Sequence, residues 1–248
     1  MTKPALLLAS VTALLFPTGS AAQPVRHAAP ANFYGGLLKP YRNAWNYTVT
    51  LPDGSTHPQG IWTDELIRTK RDSRDVFVRI QGTVLVNGTT TSVINVFDPK
   101  TLFPVSDQQS LKDGGLQKRT FTEKSVTSTR PGTKGVPAIS RKSLPSPIYD
   151  YYGGMYALLL ATAPLRPGFS GTFTSIDEFT DDPVPVEFRV LGRESVRAGG
   201  KALVKAWKVE AERPGQYQLI AWVVQKPPYV IRLNIITPDK RLYDWSML

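Results

Sequence analysis

The side chains that most often carry out catalysis are scarce in this sequence. It contains no Cys and only 2 His, which excludes cysteine nucleophiles, disulfides and zinc–thiolate sites. A Ser–His–Asp triad would need His27 or His57 as its base, and we expect both to be exposed in Pro-containing segments. The G-x-S-x-G, S-x-x-K and phosphate-loop motifs are absent. We therefore expect a non-catalytic protein with no cofactor and no metal, and keep a hydrolase with an atypical site as an alternative.

One acidic cluster has the residue types that bind a cation. Asp177, Glu178, Asp181 and Asp182 lie just before Pro183, and carboxylate oxygens are ligands for Ca²⁺. The spacing of an EF-hand loop, with its Gly, is missing. A glycosidase pair drawn from the same carboxylates is an alternative, but the sequence selects no particular pair. The favoured interpretation is a solvated turn between two strands.

A basic segment indicates attraction to an anionic surface. The chain has a formal net charge of +10, and residues 112–142 contain eight Lys and Arg against two acidic residues. Lipid headgroups or anionic envelope polymers are the predicted partners, whereas no nucleic-acid motif is present. The alternative is a wet strand face followed by a mobile loop. The predicted contact residues are Lys118, Arg119, Lys124, Arg130, Arg141 and Lys142.

Aromatic residues supply the candidate ligand-binding groups. Four Tyr residues between 149 and 156 crowd the start of a predicted helix, and two Trp residues lie on predicted strands. Aromatic side chains either line a ligand cleft or pack in the core, with their polar atoms reaching a partner. The favoured interpretation is packing, and for the two Trp residues packing in the core; as candidate ligand-binding residues we select Tyr152, Tyr156, Trp207 and Trp222.

The N-terminal residues are typical of a secretory signal peptide. Lys3 precedes an uncharged apolar run over residues 5–16, and the small residues Ser20 and Ala22 favour cleavage before Gln23. A membrane span needs about 20 apolar residues, so this run is too short. We therefore expect export to a bacterial periplasm or the extracellular space, where the lack of Cys fits the periplasm best. No membrane span is expected after cleavage.

Beyond the leader, the pattern is almost entirely that of β-structure. Residues 23–43 are predicted as a flexible arm, 44–248 as a single domain and 131–147 as a loop. Asn87-Gly88 predicts a tight hairpin. In the strand before it, Val76, Val78, Ile80, Val84 and Val86 share one face, which we take to be the buried one. The predicted strands are residues 44–51, 60–69, 75–86, 89–97, 102–110, 115–121, 123–130, 171–179, 185–197, 201–212, 217–225, 229–237 and 241–247.

One helix interrupts the strands. Asp150 suits its N-cap, an apolar stripe follows, and Ala163-Pro164 ends it. Alternation of apolar and polar residues in the strands indicates sheets with one buried face. The fold class predicted from these elements is mainly β: a strongly curved antiparallel sheet, a half-barrel, around one central helix. The helical stripe consists of Tyr152, Met155, Tyr156 and Leu159.

The C-terminal half carries an ordered series of motifs. They are Pro167-Gly168, the segments 190–196, 199–202, 206–210, 221–224 and 227–232, and Tyr243. With this series the chain resembles a bacterial family of exported proteins, domain-of-unknown-function family 3108. It departs from the pattern at Gln225-Lys226, where a Ser-Pro-Asp-like turn is expected. The family is distantly similar to half-barrel carriers of lipids and lipoproteins in the bacterial envelope, and the resemblance implies no catalytic residues.

These observations predict an exported, non-catalytic envelope protein. Its ligand would be a hydrophobic molecule, or an apolar segment of a partner such as a lipoprotein, held in the concave face of the sheet. The alternative from a different class is a structural or interaction module that pairs through strand edges or the basic segment and has no small-molecule ligand.

Overall fold

A computed structural model describes residues 33–111, 114–144, 148–149, 155–177, 180–200, 202–213 and 215–248. The predicted signal peptide and two candidate residues, Tyr152 and Glu178, lie outside the described residues. The strands are β1 (Tyr41–Thr50), β2 (Thr56–Arg71), β3 (Arg74–Leu85), β4 (Thr90–Phe97), β5 (Pro104–Ser110), β6 (Leu116–Thr122), β7 (Ser125–Arg130), β8 (Ala138–Ser143), β9 (Ser170–Ile176), β10 (Pro183–Ala198), β11 (Ala202–Arg213), β12 (Tyr217–Val223), β13 (Val230–Ile236) and β14 (Leu242–Met247); the helix is α1 (Met155–Ala161).

All 14 strands belong to one sheet. Strands that follow one another in sequence pair antiparallel, except β8 and β9, and β1 also pairs with β14. β8 and β9 therefore lie at the two ends of the sheet. Arg130 in β7 and Lys142 in β8 contact carboxylates in the turn after β9, so the sheet curves until its ends meet. The predicted mainly β, curved antiparallel fold with one helix is thereby confirmed.

The hairpins follow from local turn chemistry. At the predicted Asn87-Gly88 turn, Gly88 has a φ of +83° and the Leu85 N–H donates to the Thr89 carbonyl at 2.9 Å. Between β2 and β3, Asp72 and Ser73 both adopt positive φ, as the two central residues of a type I′ turn do. These tight turns fix the register of the long β2–β3–β4 meander, and with it the side chains that share a face.

The helix lies in the concavity of the sheet. From Tyr156 to Ala161 every residue of α1 is buried, and the helix packs on β12 and β13. One apolar cluster joins these residues to Trp45 of β1, Phe77 of β3 and Val209 of β11, which belong to both halves of the sheet. No described helix is long and apolar enough to cross a membrane.

Two parts of the predicted layout differ from the structure over their described residues. The predicted loop 131–147 contains β8, an edge strand whose residues are almost all exposed and carry no apolar alternation. In the predicted arm 23–43, Phe33 and Leu38 are buried in the core, and β1 already begins at Tyr41. Apolar burial therefore holds the end of that segment against the sheet.

Beyond Val76, which is 4% exposed, the inner face of β3 is the opposite of the predicted one. Ile80, Val84 and Val86 are 39%, 56% and 70% exposed. Phe77 and the polar residues at every second position after it are buried instead. Successive side chains point to opposite faces of a strand, so one misassigned residue reverses the whole strand.

Alkaline pH should destabilise the protein through Tyr47. Burial, with a smaller contribution from Tyr243, raises the pKa of Tyr47 from 10.0 to about 12. The folded state thus favours the neutral phenol, and this contribution to the free energy of unfolding is present below pH 10 and lost as pH rises from 10 to 12. Urea unfolding at pH 9, 10 and 11 should show a smaller decline for Tyr47→Phe than for the wild type. Tyr34→Phe, at a 54% exposed position, should decline like the wild type; equal declines for all three would contradict this assignment.

Candidate functional site

The inner face of β2 to β7 is polar although it is buried. Arg79 and Asn95 lie two residues along their strands from Phe77 and Phe97 of the apolar core, and so share its face. Cross-strand pairing continues this face in one row from Arg79 through Asn95 and Asp107 to Arg119. We call these residues the polar inner face; each is at most 8% exposed. They are Asp64, Arg79, Gln81, Asn95, Asp107, Gln109, Gln117, Arg119 and Ser128.

A buried ion pair lies at one end of the polar inner face. Arg79 donates from Nε and Nη2 to the two oxygens of Asp64, both at 2.7 Å, and the Tyr41 hydroxyl donates to Asp64 at 2.8 Å. Burial alone would lower the pKa of Arg79, but the Asp64 carboxylate raises it above its ordinary value. Burial and the same carboxylate raise the pKa of Tyr41. The geometry is that of a bidentate guanidinium–carboxylate pair.

At the other end of the polar inner face, side chains connect the two ends of the open sheet. Asp181, in the turn after β9, accepts from Arg119 Nε at 2.9 Å and Arg130 Nη2 at 3.1 Å, and the Ser140 hydroxyl lies 3.4 Å from it. Next to it, Asp182 binds Lys142, whose hydrogen bond lowers the pKa of that carboxyl. We call this group the seam, because it joins β6, β7 and β8 to the turn after β9. It comprises Arg119, Arg130, Ser140, Lys142, Asp181 and Asp182.

The acidic cluster is therefore not the solvated turn that the sequence indicated. Asp181 is 2% exposed and Asp177 is 8% exposed. Asp177 accepts from Arg213 and Gln216, both at 2.9 Å. Guanidinium and amide donors thus fill the coordination that a cation would need. Within the described ranges, no three His, Asp or Glu side chains are arranged to hold a metal ion.

The seam also changes the account of the basic segment. Arg119 is 1% exposed, so its predicted contact with an anionic surface is wrong. Arg130 forms an ion pair with Asp181, and Lys142 forms one with Asp182. The remaining predicted contact residues, Lys118, Lys124 and Arg141, are exposed. The basic segment is in part an internal ion-pair network.

The two candidate Trp residues lie on opposite faces of the sheet. Trp207 pairs with Val223 and packs at the margin of the inner core, with the Arg193 guanidinium 4.3 Å from the centre of its ring. Trp222 pairs with Lys208 and belongs to a small outer cluster, where its Nε1 donates to Glu194 at 2.8 Å. The two candidate Trp rings therefore do not line one common cleft.

Tyr156 belongs to the core rather than to the rim of a cleft. It is 6% exposed, and its hydroxyl shares a 2.7 Å hydrogen bond with Ser175, which is fully buried. Its ring packs against Phe173 with centroids 5.7 Å apart. The side chain of Tyr156 is thus engaged by β9 within the core.

A serine and a histidine meet in the β1–β2 turn. Ser55 Oγ lies 3.1 Å from His57 Nε2, which resembles a nucleophile–base pair. However, Ser55 Oγ donates to Asp53 at 2.6 Å, so its proton is directed to the carboxylate and not to the imidazole. In a hydrolase triad the carboxylate instead orients the His. Asp53 and His57 are exposed and Ser55 is half-buried. The geometry is that of a polar surface turn.

Comparison with protein families gives one match that covers most of the chain. The model of a family described as a protein of unknown function, DUF3108, matches residues 47–238. The chain belongs to the DUF3108 family. The matched range runs from β1 to just beyond β13, and so contains the polar inner face and the seam of this DUF3108 protein. No curated protein matches the chain.

The polar inner face carries hydrogen-bonding groups without partners. Among the described residues, nothing binds either amide atom of Asn95, Oε1 of Gln109, Nη1 of Arg79 or the hydroxyl of Ser128. Buried polar atoms are almost always satisfied by protein or ordered water. Sequence reasoning missed these residues because it placed the Val residues of β3 inside. The available signal was the polar residue at every second position after Phe77, and before Phe97.

Tyr156→Phe should cost about 1–3 kcal/mol in the free energy of unfolding, because it leaves the buried Ser175 hydroxyl without its partner. Urea unfolding monitored by circular dichroism measures this loss. Adding Ser175→Ala should recover part of it, since the orphaned hydroxyl is then removed as well. A double variant as unstable as the sum of the two single variants would show that the hydroxyls do not interact.

Proposed function

We propose that this DUF3108 protein is an exported, non-catalytic binding protein of the bacterial envelope, which holds its ligand against the inner face of its curved sheet. The observation that carries the proposal is the set of buried, unpartnered polar atoms on β3, β4, β5 and β7. Leaving such atoms unsatisfied costs free energy. Hydrogen bonds from a bound ligand would offset that cost. Export is supported by the leader-like residues 1–22.

The two halves of the inner face favour different ligands. Over β12 and β13 the apolar surface is already covered by α1, so an acyl chain or an apolar partner segment would have to displace that helix. Over β2 to β7 the inner face instead carries buried hydrogen-bonding groups, which an acyl chain could not satisfy. We therefore place the ligand on the polar half of the inner face of the half-barrel.

Native mass spectrometry of the full chain, purified without detergent from the cells that produce it, tests the binding function. The native mass should exceed the denatured mass by a bound molecule. A native mass equal to that of the polypeptide would contradict the proposal. The N-terminal residue of the same preparation tests export: Gln23 is expected, and an intact Met1 would count against it.

A second candidate function is that of an interaction module. The edge strand β8 exposes Ile139 at 72%, and Val136 just before it is 68% exposed. An exposed strand edge with apolar side chains is a template for pairing with another chain. Crosslinking from a photoreactive residue at position 139 should then capture a partner segment in intact cells, whereas crosslinks to solvent only would oppose this function.

A further inference from the structure

We propose that the ligand is an uncharged carbohydrate, bound along the polar inner face. This inference rests on the proposed binding function and names the class of its ligand. It draws on the charge balance, the hydrogen-bonding capacity and the aromatic surroundings of that face.

The charges of this face are already balanced. Asp64 pairs with Arg79, and Asp107 and Asp181 pair with Arg119 and Arg130. Three carboxylates thus meet three guanidinium groups, and among the described residues of this face no excess charge remains to attract an ion. A phosphate or a carboxylate brought into this buried face would lack a free counter-charge, which is costly. A neutral ligand meets no such penalty.

The unpartnered atoms include both hydrogen-bond donors and acceptors, so a ligand must supply both kinds of group. The Asn95 amide offers one NH₂ and one carbonyl oxygen, Gln109 Oε1 is an acceptor, and Arg79 Nη1 is a donor. A hydroxyl group both donates and accepts, so a polyhydroxyl compound satisfies this mixture without a fixed pattern. An acyl chain would leave every one of these atoms unsatisfied, and a site built for polar groups rejects such a ligand strongly.

Aromatic rings border the polar groups on the same face. Trp62 is half-buried, lies two residues from Asp64 and pairs across the strands with Thr83. It meets Trp245 edge to face with ring centroids 5.8 Å apart, and Trp245 stacks on Tyr47 at 4.6 Å. An aromatic face is electron-rich, and the C–H face of a sugar ring packs on such a surface while its hydroxyls reach neighbouring polar groups.

The indole nitrogens reinforce this arrangement. Nε1 of Trp45 and Nε1 of Trp245 are buried without a hydrogen-bond partner among the described residues. Both rings belong to the inner core, next to Trp62. Each N–H is a donor only, and a sugar hydroxyl or ring oxygen accepts from it.

The test uses the protein from its own cells, tagged after Leu248 and purified without detergent. The bound material is released by denaturation, hydrolysed with acid and analysed for neutral sugars, for fatty acids and for amino acids beyond those of the chain. Neutral sugar in a fixed ratio to protein is expected. Fatty acids or a peptide in its place would overturn the carbohydrate inference and leave the binding function standing. An empty protein would overturn both.

Adjacent glutamines provide a matched pair of variants. Gln109→Leu removes an unpartnered oxygen from the polar inner face, whereas Gln108→Leu makes the same change on the other face of β5. Gln109→Leu should retain about one tenth of the sugar or less, and Gln108→Leu should retain it all. Thermal melting verifies that both are folded, and Asn95→Ala replaces Gln109→Leu if that variant does not fold. Equal sugar content in the variants of the two faces would overturn the inference.

Discussion

Asp181→Asn should lower the free energy of unfolding by about 3–5 kcal/mol, the cost of removing one partner from a buried ion pair. The carboxylate is 3% exposed and binds the guanidinium groups of Arg119 and Arg130. Of these, Arg119 is fully buried, so the neutral amide leaves its charge only partly compensated, by Asp107. Because Asp181 joins β6 and β7 to the turn after β9, the ends of the sheet should also separate. Urea unfolding measures the first effect, and hydrogen exchange in β7 and β8 measures the second.

The neighbouring residue supplies the control. Asp182→Asn removes a carboxylate of the same seam that is 57% exposed and binds Lys142. Solvent screens an exposed pair, so this variant should unfold much like the wild type and keep β8 protected from exchange. A loss as large for Asp182→Asn as for Asp181→Asn would show that burial is not the source of the effect, and that the seam is not what holds the ends together.

The layout of the strands was predictable because it depends on local signals. The β3–β4 hairpin follows from Asn87-Gly88, although only Gly88 adopts a positive φ and the loop between Leu85 and Thr89 has three residues instead of two. Alternation of side chains then outlines each neighbouring strand. The edge strand β8 has neither signal: it is exposed on almost every residue, and its pairing with β7 alone defines it. Local patterns locate strands, but they do not detect an edge that has no buried face.

The polar inner face was not predictable from alternation, because its compensation comes from distant residues. In β3 both faces carry a regular pattern, one of Val and Ile and one of Phe77, Arg79 and Gln81. Hydrophobicity predicts that the face with Val and Ile is buried, whereas in the structure the face with Phe77, Arg79 and Gln81 is the buried one. The burial of Arg119 depends on Asp181, 62 residues away in the sequence. A charged residue can be assigned to the interior only when its partner is known, and the sequence alone does not pair them.

Arg79→Leu is expected to cost about 3–5 kcal/mol in the free energy of unfolding, since it leaves Asp64 buried with an unpaired charge. Asp64 is 1% exposed, and the Tyr41 hydroxyl of β1 would still donate to it. The matched control is Arg68→Leu in the same β2–β3 hairpin, where the Arg68–Asp75 pair is exposed on both sides. That variant should cost about 0–1 kcal/mol. Urea unfolding of both at pH 7 compares the buried pair with the exposed one.

The double variant Asp64→Leu/Arg79→Leu separates the stability of the fold from the purpose of the pair. Apolar replacement of both partners of a buried ion pair is often neutral or stabilising, so the double variant should be more stable than either single variant. If the two single losses simply add, the pair does not interact and the geometry of the polar inner face is wrong. If stability returns while bound ligand is lost, the pair is retained for binding, because an apolar residue would serve the core as well. The buried charges of this DUF3108 protein then belong to its function.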